Sequence, residues 1–372
     1  MERVLVLGAY GHVGKFIVPE LAGTLGLEVI ATGRNLSKLE TLYGNQEKNQ
    51  IHVKKLDAFD FEELKKACKN VDLVINGVGP YAKDFWKVAG EIVNLGVNYL
   101  DFANEQSHYR HLKDLGERAS ENGLKLVTGV GTSPGISTIL YRMTKLNLPD
   151  MEYGEMQYVS GIKESPEEGF GSVMGAILET GINPVAYIDG ELKPMPLGRE
   201  KKIERYPEPF NKRKFLAFPT IDALIVPNVL NLNTLRTYWA MGDIPPGFSS
   251  AIKFFKPHKR QWAYNLFKMI AKSSMKKEYN QSKKDGLGLE SMMKIIGKAP
   301  QQESTTTITF PRGGGASASY MVLITTKLLS ENRIEKKGLI TPADLDIMEN
   351  FESLLRLFSW TGSLTTEMNK KS

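Results

Sequence analysis

The feature that most narrows what this chain can become is its opening, Arg3-Val-Leu-Val-Leu7 followed at once by Gly8-Ala9-Tyr10-Gly11-His12-Val13-Gly14. Five residues with no polar alternation read as a strand buried on both faces. A glycine-spaced turn leading from such a strand into a helix is suited to a phosphate. Gly8 lets the chain turn sharply, Gly11 lets the backbone approach a diphosphate, and Gly14 lets the helix pack closely on the sheet. The stretch Gly8, Tyr10, Gly11, His12, Val13 and Gly14 is therefore expected to cradle a dinucleotide, the helix N-terminus facing its anion. Any tight strand-to-helix turn favours glycine, so the cradle gains weight only from the strands downstream of it.

A second strand, Leu27 to Gly33, ends roughly twenty residues further on, where an adenosine ribose should lie. An acid there would hold the free hydroxyls of NAD, but Arg34, Asn35 and Lys38 stand in its place. A guanidinium and an ammonium suit a 2′-phosphate, so the cofactor expected is NADP; the competing reading is a solvated Arg and Lys opening the next helix. A third strand from Ile51 ends in Asp57-Ala58, where the carboxylate either meets the adenine amino group or caps a turn. A fourth, from Val71, opens into Asn76-Gly77-Val78-Gly79-Pro80-Tyr81. At the carboxyl edge of a parallel sheet this loop should border the ribose and nicotinamide, although Gly79 and Pro80 also serve as plain turn formers.

Strand and helix patterns continue to alternate, with helices near 61–68, 85–95 and 109–122 and strands at 98–102 and 125–128. Pro19 removes a donor from the first helix and should bend it. Asp101, Asn104 and Glu105 stand at another strand end, as contacts to substrate or cofactor or as helix caps. Tyr81 and Glu105 are the candidate proton donors, and Tyr81 serves equally well as a ring stacked on the nicotinamide. His108 and His111 have a spacing that can hold a metal, but the sequence offers no third ligand after them, and no metal site is expected.

At 372 residues and 41% hydrophobic the chain should form two domains. A net charge of +6 fits an anionic ligand, and no motif reads nucleic acid. The single cysteine, Cys68, excludes an internal disulfide and agrees with a reducing compartment. No apolar run approaches eighteen residues and the first strand starts at Arg3, so a cytoplasmic protein without spanning helix or secretion signal is expected.

Taken in order, the glycine turn, Thr32-Gly-Arg34-Asn-Leu-Ser-Lys38-Leu, Asn76 to Tyr81, Tyr99-Leu-Asp-Phe-Ala-Asn-Glu105 and Val130-Gly-Thr-Ser-Pro-Gly-Ile136 resemble the saccharopine dehydrogenase-like oxidoreductases. Gly169 to Ile177, Pro184 to Leu192, a glycine-rich strand at Gly313 and a helix start at Leu339-Ile-Thr-Pro342 agree, and some of these pieces are similar to the trans-acting enoyl reductase branch. The resemblance implies an α/β protein: an N-terminal Rossmann domain with a doubly wound parallel sheet, and a second α+β domain on a mixed sheet that covers the nicotinamide and often forms a homodimer. It places Asn76, Gly79, Pro80 and Tyr81 on the nicotinamide side. It implies hydride transfer to or from a carbon–nitrogen bond, or to a carbon–carbon double bond in the enoyl branch; a non-catalytic NADP-binding sensor or scaffold is the alternative. Members that handle amino acids hold carboxylates with arginines, for which Arg142, Arg236 and Arg312 are the candidates.

The expected division is 1–130 for the cofactor domain, 131–336 for the substrate and dimerisation domain, and 337–372 for a helical segment packing back on the first domain. Within the second domain, Ala251 to Lys284 gathers ten lysines and arginines and six aromatics. Trp262, Leu266, Met269 and Ile270 share one helical face, and Lys268, Lys272 and Lys276 form a basic row. Such a helix either docks on its own domain or a second subunit, or makes a peripheral contact with an anionic membrane.

Overall fold

The computed structural model describes residues 1–44, 50–242 and 244–370. The first half alternates strand and helix: β1 (Arg3–Leu7), α1 (His12–Gly23), β2 (Glu28–Gly33), α2 (Leu36–Tyr43), β3 (Ile51–Lys55), α3 (Phe61–Ala67), β4 (Leu73–Asn76), α4 (Phe85–Asn94), β5 (Asn98–Asp101), α5 (Gln106–Glu121), β6 (Lys125–Val127) and α6 (Ile136–Asn147). These strands pair in parallel in the order β6-β5-β4-β1-β2-β3. Helices cover both faces, which is why Val4 to Leu7 and Leu73 to Asn76 are all buried and why their sequence shows no polar alternation. After β3 the chain returns to the other side of β1, so Leu7 lies beside Thr32 on one side and Asn76 on the other. In a parallel sheet this reversal opens a crevice at the carboxyl edge.

The second half comprises β7 (Tyr153–Ser160), α7 (Phe170–Ile182), β8 (Val185–Ile188), β9 (Glu191–Pro194), β10 (Lys201–Arg205), β11 (Lys212–Ala217), α8 (Asp222–Leu230), β12 (Thr234–Ala240), α9 (Phe248–Phe255), α10 (Gln261–Lys284), β13 (Ser291–Lys298), β14 (Gln302–Phe310), α11 (Gly313–Ser330), β15 (Gly338–Ile340), α12 (Phe351–Leu357) and β16 (Leu364–Lys370). Its mixed sheet runs β10-β11-β12-β7-β13-β14-β16, with β12 parallel to β7, the other pairs along this path antiparallel, and β8 and β9 attached beside β12. Strand β13 buries Ser291, Met293, Ile295 and Gly297 and leaves the residues between them half-buried, the period-two signature of a sheet covered mainly on one face. Helices α6 and α11 supply that cover.

Two expectations need correction. The segment after residue 336 is not mainly helical: Leu339 and Ile340 form a strand that joins the first sheet beside β6, and the alternating Leu364–Lys370 pairs with β14 of the second sheet. Short runs of this kind pair only because an open edge is offered to them, a tertiary cause that local pattern does not carry. The glycines at 313–315 open α11 rather than a strand. A Cβ at Gly315 would overlap the His12 ring, so the lack of side chains there lets α11 lie against α1.

The domains are tied where α5 begins: the buried Gln106 side chain donates to the Val185 and Thr220 carbonyls (2.7 and 2.9 Å) and accepts from the Val185 N–H (2.9 Å), and a second buried knot holds the entry to the second domain together. Asp222, fully buried at the start of α8, accepts hydrogen bonds from Ser133 (2.7 Å), Ser137 (2.6 Å), Thr138 (2.8 Å) and Thr220 (3.2 Å). Burial raises its pKa, and the four hydroxyls oppose that shift.

Candidate functional site

The floor of the crevice is the glycine turn. Gly8 sits at φ +78°, and a Cβ there would press on the Gly77 oxygen and Val78 Cγ2, both at 3.0 Å, so the turn and the loop after β4 touch. At Gly14 a Cβ would collide with the carbonyls of Gly8 and Ala9. Gly11 is the N-cap of α1, and a Cβ there would press on the Gly8 carbonyl oxygen at 2.9 Å, so the turn itself requires glycine. The first turn of α1 carries neither a side-chain cap nor an acid. N–H groups at His12, Val13 and Gly14 lack an intrahelical acceptor by helix geometry, so the cradle fits an anionic diphosphate. After β2, Arg34 and Lys38 are exposed, and the Lys38 ammonium lies 5.7 Å from the Tyr10 ring centre. Asn35 is used as the cap of α2, accepting from the Lys38 N–H at 3.1 Å. Asp57 accepts from the Phe59 N–H at 3.1 Å, a turn role, with Ala58 buried behind it.

At the end of β4, Asn76 is buried and donates to the Tyr99 hydroxyl (3.0 Å) while accepting from the Val78 N–H (3.1 Å), which shapes the loop through Gly77, Gly79 and Pro80. Tyr81 turns its hydroxyl inward, donating to the Asn76 carbonyl at 2.5 Å. Burial first, then the Asp101 and Glu105 charges, hold that phenol well above its usual pKa. Glu105, 3% exposed, accepts from the N–H groups of Tyr81 (2.9 Å) and Asn104 (3.0 Å). Burial, reinforced by Glu179, raises its pKa to about 8. Asp101 differs. Burial would raise its pKa, but His108 at 2.7 Å, Thr128 and the Ala103 N–H outweigh it and hold the carboxyl below its usual range. His108 is thus Asp101's partner, while His111 stacks on Trp86 at 4.7 Å.

The second domain roofs this floor and leaves a cavity of about 310 Å³. Its roof is aromatic: Trp239 stacks on Phe218 (4.5 Å) and meets Tyr158 (5.1 Å), with Phe170 and Met241 nearby in the lining. Glu168 reaches down to His12 at 2.9 Å and closes the side of the cavity. Among the described residues that line it there is no arginine. Arg142 donates to the Leu345 carbonyl, Arg236 is paired with Glu200, and Arg312 lies over the Phe16 ring. Sequence reasoning missed the roof because Tyr158, Phe218 and Trp239 come from separate places in the chain and converge only through pairing of β12 with β7 on one side and with β11 on the other. Glu168 and its link to His12 were equally unsignalled.

The fold and floor define a two-domain dinucleotide-binding protein. Residues 4–128 match the model of the saccharopine dehydrogenase NADP binding domain, so the first domain is of that type and its cofactor is NADP. The chain is similar to a probable mitochondrial saccharopine dehydrogenase-like oxidoreductase of Arabidopsis thaliana, 26% identical over 34% of this chain and 31% of the relative. It is also similar to a lipid droplet localized protein of Caenorhabditis elegans, 26% identical over 34% of this chain and 32% of the relative. Each match spans about a third of the relative's length. Among solved structures, saccharopine dehydrogenase (L-Glu forming) from Saccharomyces cerevisiae shares the fold at TM-score 0.64 and 15% identity, covering 99% of this chain and 100% of that one. The homospermidine synthase of Legionella pneumophila in complex with NAD shares it at TM-score 0.62 and 12% identity, covering 99% and 91%.

Proposed function

We propose that this chain is an NADP(H)-dependent oxidoreductase that reduces a polarised C=N or C=C bond of a largely apolar small molecule. The observation that carries this reading is Glu105: an acid whose pKa is raised to about 8 lines the cavity beside the loop after β4, held by the Tyr81 N–H. When bound, NADPH supplies the hydride. Gly11 and the first turn of α1 hold the diphosphate, and Arg34 and Lys38 meet the 2′-phosphate. Glu105 keeps a proton on its carboxyl at neutral pH and delivers it to the substrate atom adjacent to the carbon that accepts the hydride, ending as a carboxylate. Tyr81 acts by position, since its hydroxyl is committed to Asn76 and its N–H orients Glu105. Tyr158, Phe218 and Trp239 exclude water and take an apolar body. Substrates recognised through carboxylates are disfavoured, because the candidate arginines point elsewhere.

The test is transfer of label from 4-deuterated NADPH to a panel of apolar enones and imines, read by mass spectrometry. Label in a product supports the reading; tight NADPH binding with no transfer to any member leaves the sensor alternative. A second reading, peripheral work at a membrane through 251–284, is favoured by the outward position of Trp262 on α10.

A further inference from the structure

Helices α9 and α10 pack on α7 through Ile252, Phe267 and Ala271, with Met174 and Ile177 opposite, and α10 also buries Ala263 and Met275 on its inner side. That is not the face singled out by the sequence pattern. Trp262, Leu266, Met269 and Ile270 point away from the protein and are 54%, 37%, 67% and 41% exposed, and Phe254 of α9 is 73% exposed. A helix pair already anchored by one apolar face has no folding need for a second.

The surroundings of this second face select what covers it. Between Ala251 and Lys277 the chain carries eight lysines and arginines and no acid. One of them, Lys272, is neutralised by Glu167 at 2.8 Å. Lys253, Lys256, Lys268, Lys276 and Lys277 are exposed around the stripe. A second copy seated face to face would bring two such basic fields together, which costs energy. Nucleic acid answers the charge but offers nothing to Leu266, Met269 and Ile270. An anionic phospholipid surface answers both, phosphates and carboxylates meeting the lysines while the apolar side chains enter the acyl boundary.

We propose that α9 and α10 form an anionic-lipid docking surface. The inference rests on the membrane reading of 251–284 and names its chemistry. It also gives the cavity an orientation. Gln261 and Tyr264 at the start of α10 lie against Lys83 beside the cofactor floor (3.2 Å and 4.3 Å), while Glu278 on the same helix lines the cavity. Docking through this helix therefore sets the cavity beside the lipid, a source of apolar substrate.

The test is flotation of the full chain with phosphatidylcholine vesicles, with and without phosphatidylserine, at low and high salt. Binding to the phosphatidylserine vesicles that weakens with salt is expected. Replacing Lys268, Lys276 and Lys277 with Gln should lower it on the order of a hundredfold. The double change Trp262→Asp and Leu266→Asp should abolish it with NADPH binding intact, a sign that the fold is retained. Equal binding to both vesicle types, insensitive to the lysines, overturns the anionic-lipid inference and leaves the membrane reading standing; no flotation at all overturns both. Self-association that disappears in the Asp variant, without flotation, assigns the face to a second copy and overturns both as well.

Discussion

The floor of the cleft comes from one run of backbone, Gly8 to Gly14, and the strand end at Asn76, whereas its roof is assembled from Tyr158, Phe218 and Trp239, side chains separated by many residues in the chain. The floor depends on where side chains are absent, and the roof on which side chains arrive. A backbone cradle tolerates few substitutions, because its shape is set by residues that must lack side chains. A side-chain roof can be recut residue by residue without disturbing the sheet beneath it, which is where substrate choice is free to vary.

The contrast can be tested most severely at Glu105, where floor and roof meet. Glu105→Gln should cut the rate of labelled-hydride transfer by about 10²–10⁴-fold while leaving NADPH affinity unchanged. In the unmodified protein kcat/KM should hold below pH 8 and fall above it, as the acid loses its proton through a pKa of about 8, and the variant should lack that limb. The same group affects stability. Its folded pKa lies above its ordinary value of 4.5, so its contribution is complete below pH 4.5 and is lost as pH rises through about 8. Denaturation across that window should show a decline that Glu105→Gln flattens. A retained rate in the variant would hand the proton to another donor.

On the floor, Gly11→Val should weaken NADPH on the order of a hundredfold, with the overall circular dichroism retained, because a Cβ there presses on the Gly8 carbonyl oxygen at 2.9 Å and forces the cradle turn out of shape. Unaltered affinity would move the diphosphate off the turn. At the ribose end Arg34→Ala should cost about 1.5–3 kcal/mol, ten- to a hundredfold, for NADPH and nothing for NADH. Equal losses for both cofactors would remove Arg34 from the 2′-phosphate. The roof should respond alone to Trp239→Phe: KM for an apolar substrate rises about fivefold, roughly 1 kcal/mol of lost apolar contact, with the NADPH Kd unmoved. A change in both would mean that the two walls are not independent.

Legibility in the sequence divides along the same line. Gly8, Gly11 and Gly14 declare themselves because a tight turn beside an anion restricts residue type at fixed spacing, and the buried strands declare themselves because both faces are dry. Glu105 could be placed at a strand end, but its raised pKa could not, since that depends on burial under the second domain and on Glu179 from α7. The exposed stripe on α10 was visible as a pattern, yet Ala263, Phe267, Ala271 and Met275 form a competing pattern on the other face, and only packing decides which face turns inward. Strands β15 and β16 were illegible because their partners are supplied by elements far upstream.

Those two strands also fix an order of events. A ribosome releases β6 long before β15, and β14 before β16, so each sheet spends part of synthesis with an open edge, a ready template for a wrong partner. The nascent cofactor domain acquires its seventh strand only after most of the second domain has been made. Both sheets gain their last strand within the same short stretch, 338–370, and β15 and β16 then stand as outer strands themselves.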